Sequence, residues 1–227
     1  MRATEFITEI YKLSTGDFVG NADEVGHYFN RKKSKPLPGG SGMLYSVDIG
    51  YDYANDLNIT IFNPAENEEV GRIYISPSEG YSKILPKPYH VDAVAVLNKY
   101  RGQGYGMALY GIVLSELKLT LISGDSQTPA GRKSWVNLAS IPGVEVKGIV
   151  EISDEKFDDY YHDTNRVIKN IMNLGAQHIG EYYGQHYFAF DVVEGKGELR
   201  PAVKNELSTI YGSGDYDVNL FAKWTGK

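Results

Sequence analysis

The sequence predicts an α/β (mixed α+β) protein built on a mainly antiparallel sheet with flanking helices. Three observations predict it. Between Leu44 and Ile75, β-branched and aromatic segments are separated by short clusters of Asn, Asp, Pro and Glu, links too short for the crossovers that parallel strands need. After Leu97 the apolar period lengthens from two residues to three and four. Beyond Leu117, strand-like and helical segments alternate.

Taken in order, Phe6 to Tyr11 reads as an opening strand and Ala22 to Asn30 as a short helix, followed by a Pro/Gly loop at 34 to 42. Leu44 to Ile49, Leu57 to Phe62 and Gly71 to Ile75 form the meander, and Val91 to Leu97 is a short apolar run suited to a buried strand. Met107, Tyr110, Val113, Leu114 and Leu117 recur at helical spacing and set a helix from about Gly106 to Leu117. Leu119 to Ile122 is the next strand. Ser126 to Ser140 reads as a helix that tolerates Pro129 because it falls in the first turn. Val144 to Ile152 is a strand, Thr164 to Leu174 a helix stopped by Gly175, and Tyr182 to Val193 a long aromatic strand. The last thirty residues give little pattern. With no repeat and no clear linker, one domain over 1–227 is expected, its C-terminal third from about residue 151 a decoration.

Composition narrows the function classes. Gly is 25 of 227, about 11% against a typical ~7%, without a triplet period, so it marks turns rather than collagen or low complexity. Cys is absent, which removes thiolate metal sites, cysteine nucleophiles and disulfides. The formal net charge of −6 disfavours a sequence-independent nucleic-acid binder. Arg31 to Lys35 and the acidic stretch from Glu151 to Asp163 read as solvated charge. Met1 to Leu13 mixes charges among its apolar residues, and no apolar run reaches membrane-spanning length, so a cytoplasmic location without membrane contact is expected.

The chemistry lies in Val94-Ala95-Val96-Leu97-Asn98-Lys99-Tyr100-Arg101-Gly102-Gln103-Gly104-Tyr105-Gly106-Met107. A buried strand runs into alternating glycines that open a helix. Side-chain-free positions let backbone N–H groups converge on an anion at the positive end of the helix dipole, and pyrophosphate fits such a cradle. A ligand-free tight turn needs fewer glycines than three in five residues. The dinucleotide pattern G-x-G-x-x-G would put its third Gly at Met107, and the antiparallel meander lacks the βαβ unit it requires, although Asp125 lies at a suitable distance.

Arg101-x-x-Gly104-x-Gly106 after an apolar strand resembles the acetyl-coenzyme A loop of the GNAT N-acetyltransferase superfamily, the match being specific over residues 90 to 123. The resemblance implies a GNAT-like twisted sheet whose middle strands splay to admit acetyl-CoA. It places acetyl-CoA on the stretch Arg101 to Met107, with the N–H groups of Gly102, Gln103, Gly104, Tyr105, Gly106 and Met107 on the pyrophosphate, and pairs the backbone of Val94 and Val96 with the acyl and pantetheine amides. It implies acetyl transfer to a primary amine of a small molecule, a protein or a modified base. The runner-up is a non-catalytic binding or structural protein of the same fold.

The attacking amine must lose a proton, so a base is needed. Counting back along the motif strand to the family's carboxylate position lands on His90, with Asp92 on the same face; these two are the catalytic candidates. A partly exposed strand-end histidine without a role is the plain alternative. Where many members carry an acid Tyr this chain has Trp135, whose indole cannot protonate a thiolate. Tyr161 or Tyr183 could serve instead, or solvent. The segment Ser123 to Pro129 is similar to phage-encoded members. No H-x-x-x-H pair, G-x-S-x-G or Walker loop occurs, and Asp215 to Asn219 lacks the Gly and Glu an EF-hand needs, so no metal is expected.

Overall fold

The computed structural model describes residues 33–49, 55–123, 129–153, 164–192, 200–211 and 218–226. The expected strand Phe6 to Tyr11, the helix Ala22 to Asn30, Asp125 and Tyr161 lie outside them. Ten described strands form one sheet in the order β1-β2-β3-β4-β5-β6-β10-β7-β9-β8. They are β1 (Lys35–Pro36), β2 (Leu44–Ile49), β3 (Leu57–Asn63), β4 (Glu68–Pro77), β5 (Pro88–Val96), β6 (Thr120–Ile122), β7 (Val144–Ser153), β8 (Gln177–Tyr182), β9 (Gln185–Asp191) and β10 (Asn219–Trp224). Helices α1 (Tyr105–Gly111), α2 (Pro129–Leu138), α3 (Thr164–Asn173) and α4 (Pro201–Tyr211) connect them. Every pairing is antiparallel except β5 with β6. That one parallel pair is joined through α1, as a crossover requires.

The β2–β5 meander stands where the alternation put it, with longer strands. β4 runs from Glu68, past the expected start at Gly71, because Glu69 is buried and its charge is met by Arg72 at 2.8 Å. β5 starts at Pro88, three residues before Val91, since a strand's first residue can lack an N–H. The helix expected over Gly106 to Leu117 begins at Tyr105 and changes to a π-helical turn over Ile112–Glu116. α2 begins at Pro129 itself.

Two expectations need larger correction. The single strand Tyr182 to Val193 is instead a hairpin of β8 and β9, reversed by Tyr183 (φ 50°) and Gly184 (φ 69°), the conformation of a type I′ turn. A Tyr at a positive-φ position hides that turn from a composition-based reading. The hardly legible C-terminus holds α4 and β10, and β10 inserts between β6 and β7, pairing Phe221 with Ile122 and Ala222 with Val146.

Alternation then sorts the two faces. Ile59, Ile61, Ile73, Val94, Val96, Leu121 and Leu220 pack with Leu109, Val113 and Leu114 of the α1 segment and Trp135 and Leu138 of α2. Val150, Ile152, Phe188 and Phe190 continue that face against Ile171 of α3 and Val203 and Leu207 of α4. The opposite face of the C-terminal strands, with Ile122, Ile149, Ala189 and Phe221, is covered by Tyr81, Ile84 and Leu85 of the β4–β5 loop.

Candidate active site

The parallel pairing of β5 with β6 covers only Pro88, Tyr89 and His90, opposite Thr120, Leu121 and Ile122. No pairing is described beyond His90, and residues 124–128, which follow β6 along this line, lie outside the described residues. Along its other edge β5 stays paired with β4 to Val96. The Leu97 N–H bonds the Val70 carbonyl at 2.9 Å, and antiparallel alternation therefore turns the amides of Val94 and Val96 away from β4, toward the β6 side. Both side chains are buried on the α1 face. Among the described residues no strand pairs with this stretch of edge.

The glycine loop that follows β5 is fixed by the residues beneath it. Asn98–Tyr100 form a 3₁₀ turn, and buried Tyr100 accepts a hydrogen bond from Asn63 Nδ2 (3.0 Å) and donates to Glu66 (3.0 Å). Lys99 pairs with Glu66 at 2.5 Å and with Glu68. Arg101 Nε donates to the Val96 carbonyl at 3.2 Å, folding the cation back along the strand end. Gly102 (φ 78°) and Gly104 (φ 88°) take left-handed conformations, whereas Gly106 is helical. Gly102, Gln103 and Gly104 are exposed, Tyr105, Gly106 and Met107 partly so, and Gln103 is tethered to the Lys99 carbonyl at 3.0 Å.

Gly104 caps α1. The helix has no side-chain cap and no acidic residue in its first turn, so the N–H groups of Tyr105, Gly106 and Met107, which have no intrahelical acceptor, stay available. A Cβ built on Gly104 would point into open space.

His90 and Asp92 meet at a bulge. Tyr74 faces Ala93 and Ile75 faces Val91, which makes Asp92 the extra residue of β5. His90 is half-buried, its Nε2 lies 2.9 Å from Ser78 Oγ, and the Tyr81 ring stands edge-on at 6.1 Å. Asp92 is exposed at the bulge, yet the protein around its carboxyl raises it above the usual aspartate range; Ser76 hydrogen bonding and His90 act the other way, and Asp56 adds to the rise. Sequence reasoning thus named two residues that the structure brings together, but missed Ser76, Ser78 and Tyr81. Pro77 reads as a loop signal and conceals that β4 carries Ser76 opposite His90.

The proton-donor candidates fare differently. Trp135 is 3% exposed and packs on Tyr110 at 6.3 Å, a core residue. Tyr183 is 87% exposed at the β8–β9 turn, against Tyr182. Tyr81, in contrast, lies between His90 and Tyr187, 5.7 Å from the latter's ring, and accepts a hydrogen bond from Asn219 Nδ2 at 3.3 Å. Glu151, expected on a solvated face, instead bonds Tyr187, and burial raises its carboxyl. Lys33 and Lys35 are exposed, as expected. Among the described residues no three His, Asp or Glu are grouped to hold a metal ion, and no helix is long and apolar enough to cross a membrane.

No protein-family model and no curated protein matches the chain. Among solved structures, a Bacteroides thetaiotaomicron protein assigned to the GNAT acetyltransferase family is similar over 72% of this chain and 77% of its own, at 13% identity and a TM-score of 0.29. That likeness is too low to carry an argument.

Proposed function

We propose that the chain is an acetyl-CoA-dependent N-acetyltransferase acting on a primary amine. One observation carries the reading: the Val94 and Val96 amides turn from β4 toward an edge along which no described strand pairs beyond His90, ahead of a glycine-lined helix start with no side-chain cap. A flexible chain bearing amides can pair with that edge as an added strand, and a pyrophosphate suits the N–H groups that follow. The open space beyond Gly104 and the motif's resemblance to the GNAT acetyl-CoA loop fit the same ligand.

In this reading Gly102, Gln103, Gly104, Tyr105, Gly106 and Met107 hold the pyrophosphate through backbone N–H groups, and Arg101 adds positive charge. The Val96 and Val94 amides align the pantetheine and acyl portions. Bound acetyl-CoA supplies the activated acyl thioester. His90 takes the proton that the ammonium must lose, and Asp92 orients the amine or supports the imidazolium. Tyr81, whose ring stands 6.1 Å from that of His90, returns a proton to the leaving thiolate.

Calorimetry with coenzyme A on the wild type and Gly104→Glu tests the site, and acetyl transfer to a panel of small amines, peptides and nucleosides tests the chemistry. Glu adds a carboxylate and a strained φ at the cradle, so binding is expected to be lost; unchanged affinity would overturn the assignment. Binding without transfer to any acceptor would favour a non-catalytic role.

A further inference from the structure

We propose that Ser78 is a positioning residue that holds the Nε2 side of His90, leaving Nδ1 as the atom that takes the proton from the acceptor amine; this rests on the acetyltransferase reading above. Ser78 is 4% exposed, and its Oγ lies 2.9 Å from His90 Nε2. Its own N–H bonds the Pro88 carbonyl at 2.9 Å, which fastens the serine backbone to the start of β5 two residues before His90. The hydroxyl is therefore tied, through that backbone bond, to the strand that carries the imidazole. Tyr81 stands edge-on to that ring at 6.1 Å and is itself held by Asn219 and packed on Tyr187. Ser76 faces His90 across the ladder, with Asp92 and Asp56 nearby.

A serine hydroxyl can donate or accept, so the choice follows from the proton cycle. An imidazole that is to accept at Nδ1 must carry its hydrogen on Nε2. The imidazolium formed afterwards carries it there too. Ser78 Oγ accepts the Nε2–H bond in both states, and no group has to rotate during transfer. In the step, the ammonium N–H bond breaks and its electron pair stays on the amine nitrogen. The proton goes to the Nδ1 lone pair. The neutral amine is then the nucleophile, and the new imidazolium sits near the Asp92 carboxyl. Had Ser78 donated to Nε2, Nδ1 would already hold a hydrogen and could accept nothing. The pairing also explains why a serine in a loop-like Ser78-Glu79-Gly80 segment is buried while the next two residues are exposed.

The test uses ¹⁵N NMR of the full chain with labelled histidine, beside steady-state kinetics of wild type, Ser78→Ala and Ser78→Thr. The expected wild-type spectrum shows neutral His90 as the Nε2–H tautomer. Ser78→Ala should show both tautomers and lose about tenfold in kcat, the worth of roughly one hydrogen bond, with KM for acetyl-CoA unchanged; Ser78→Thr, which keeps the hydroxyl, should restore both. A wild-type Nδ1–H tautomer would overturn the proposal, and that spectrum requires no variant to fold. So would a folded Ser78→Ala with wild-type tautomer and kcat. A wild-type Nε2–H tautomer that Ser78→Ala scrambles, in a chain that acetylates no amine, would sink the transferase reading while leaving Ser78 as the group that sets the ring.

Discussion

Replacing Gly71 by Ala should strike the fold at the strand pair that carries the site. A Cβ at Gly71 would lie 2.5 Å from the Ala95 carbonyl oxygen, 2.9 Å from Val96 Cγ2 and 3.1 Å from Val96 Cα. Two of those atoms are backbone, so no rotamer change relieves the contact. Bringing the first to even 3.0 Å moves β5 off β4 by about half an ångström. The displaced residues are paired across the ladder, Arg72 with Ala95 and Gly71 with Val96. Overpacking of this kind costs about 2–3 kcal/mol, which for a chain of this size lowers Tm by roughly 5–10 °C. Because the Val96 carbonyl anchors Arg101, coenzyme A affinity should fall as well. The assay is thermal or urea unfolding of Gly71→Ala beside Gly80→Ala, where a Cβ meets nothing within 4 Å and a change under about 0.5 kcal/mol is expected. A Gly71→Ala protein that melts with the wild type would refute the close approach.

Three further outcomes are expected. His90→Ala should lose ~10²- to 10⁴-fold in turnover with acetyl-CoA affinity kept, and Asp92→Asn less, measured across a pH series once an acceptor is found; a His90→Ala enzyme with wild-type turnover and pH profile would move the base elsewhere, Glu151 first. Tyr74→Phe removes the 2.5 Å hydrogen bond to Asp56, which is 2% exposed; about 2 kcal/mol of stability should go, read by urea midpoint, and an unchanged midpoint would deny the bond. Burial raises the Glu69 carboxyl, with Arg72 opposing. A raised carboxylate binds its proton more tightly in the folded chain, so its contribution is present below the ordinary glutamate range and is lost as pH rises through the raised value. Glu69→Gln should flatten that part of the stability–pH curve, and a curve that keeps its shape would place the titration on another group.

The sequence by itself determined the meander, the motif strand, the glycine loop and α1, because each is a local pattern. Alternating β-branched residues bury one face of a strand wherever it pairs, and the left-handed Gly102 and Gly104 are written in the chain as glycines. It also named His90 and Asp92, which flank Val91 where the β5 register shifts. Tertiary structure decided what depends on partners distant in the chain. The place of β10 between β6 and β7 rests on Ile122 and Val146, roughly 100 and 76 residues earlier, and the six residues of β10 carry no signal for that choice. The bulge at Asp92 exists only in the pairing with β4, and the described pairing of β5 with β6 spans just three residues. Ser78 and Tyr81, hidden in a Pro- and Ser-rich connection, reach His90 only because that connection folds back across the sheet and packs Ile84 and Leu85 against Ile122 and Phe221. Local propensity fixes which residues can form a strand; which strands become neighbours is fixed by the pairings the whole chain can satisfy at once.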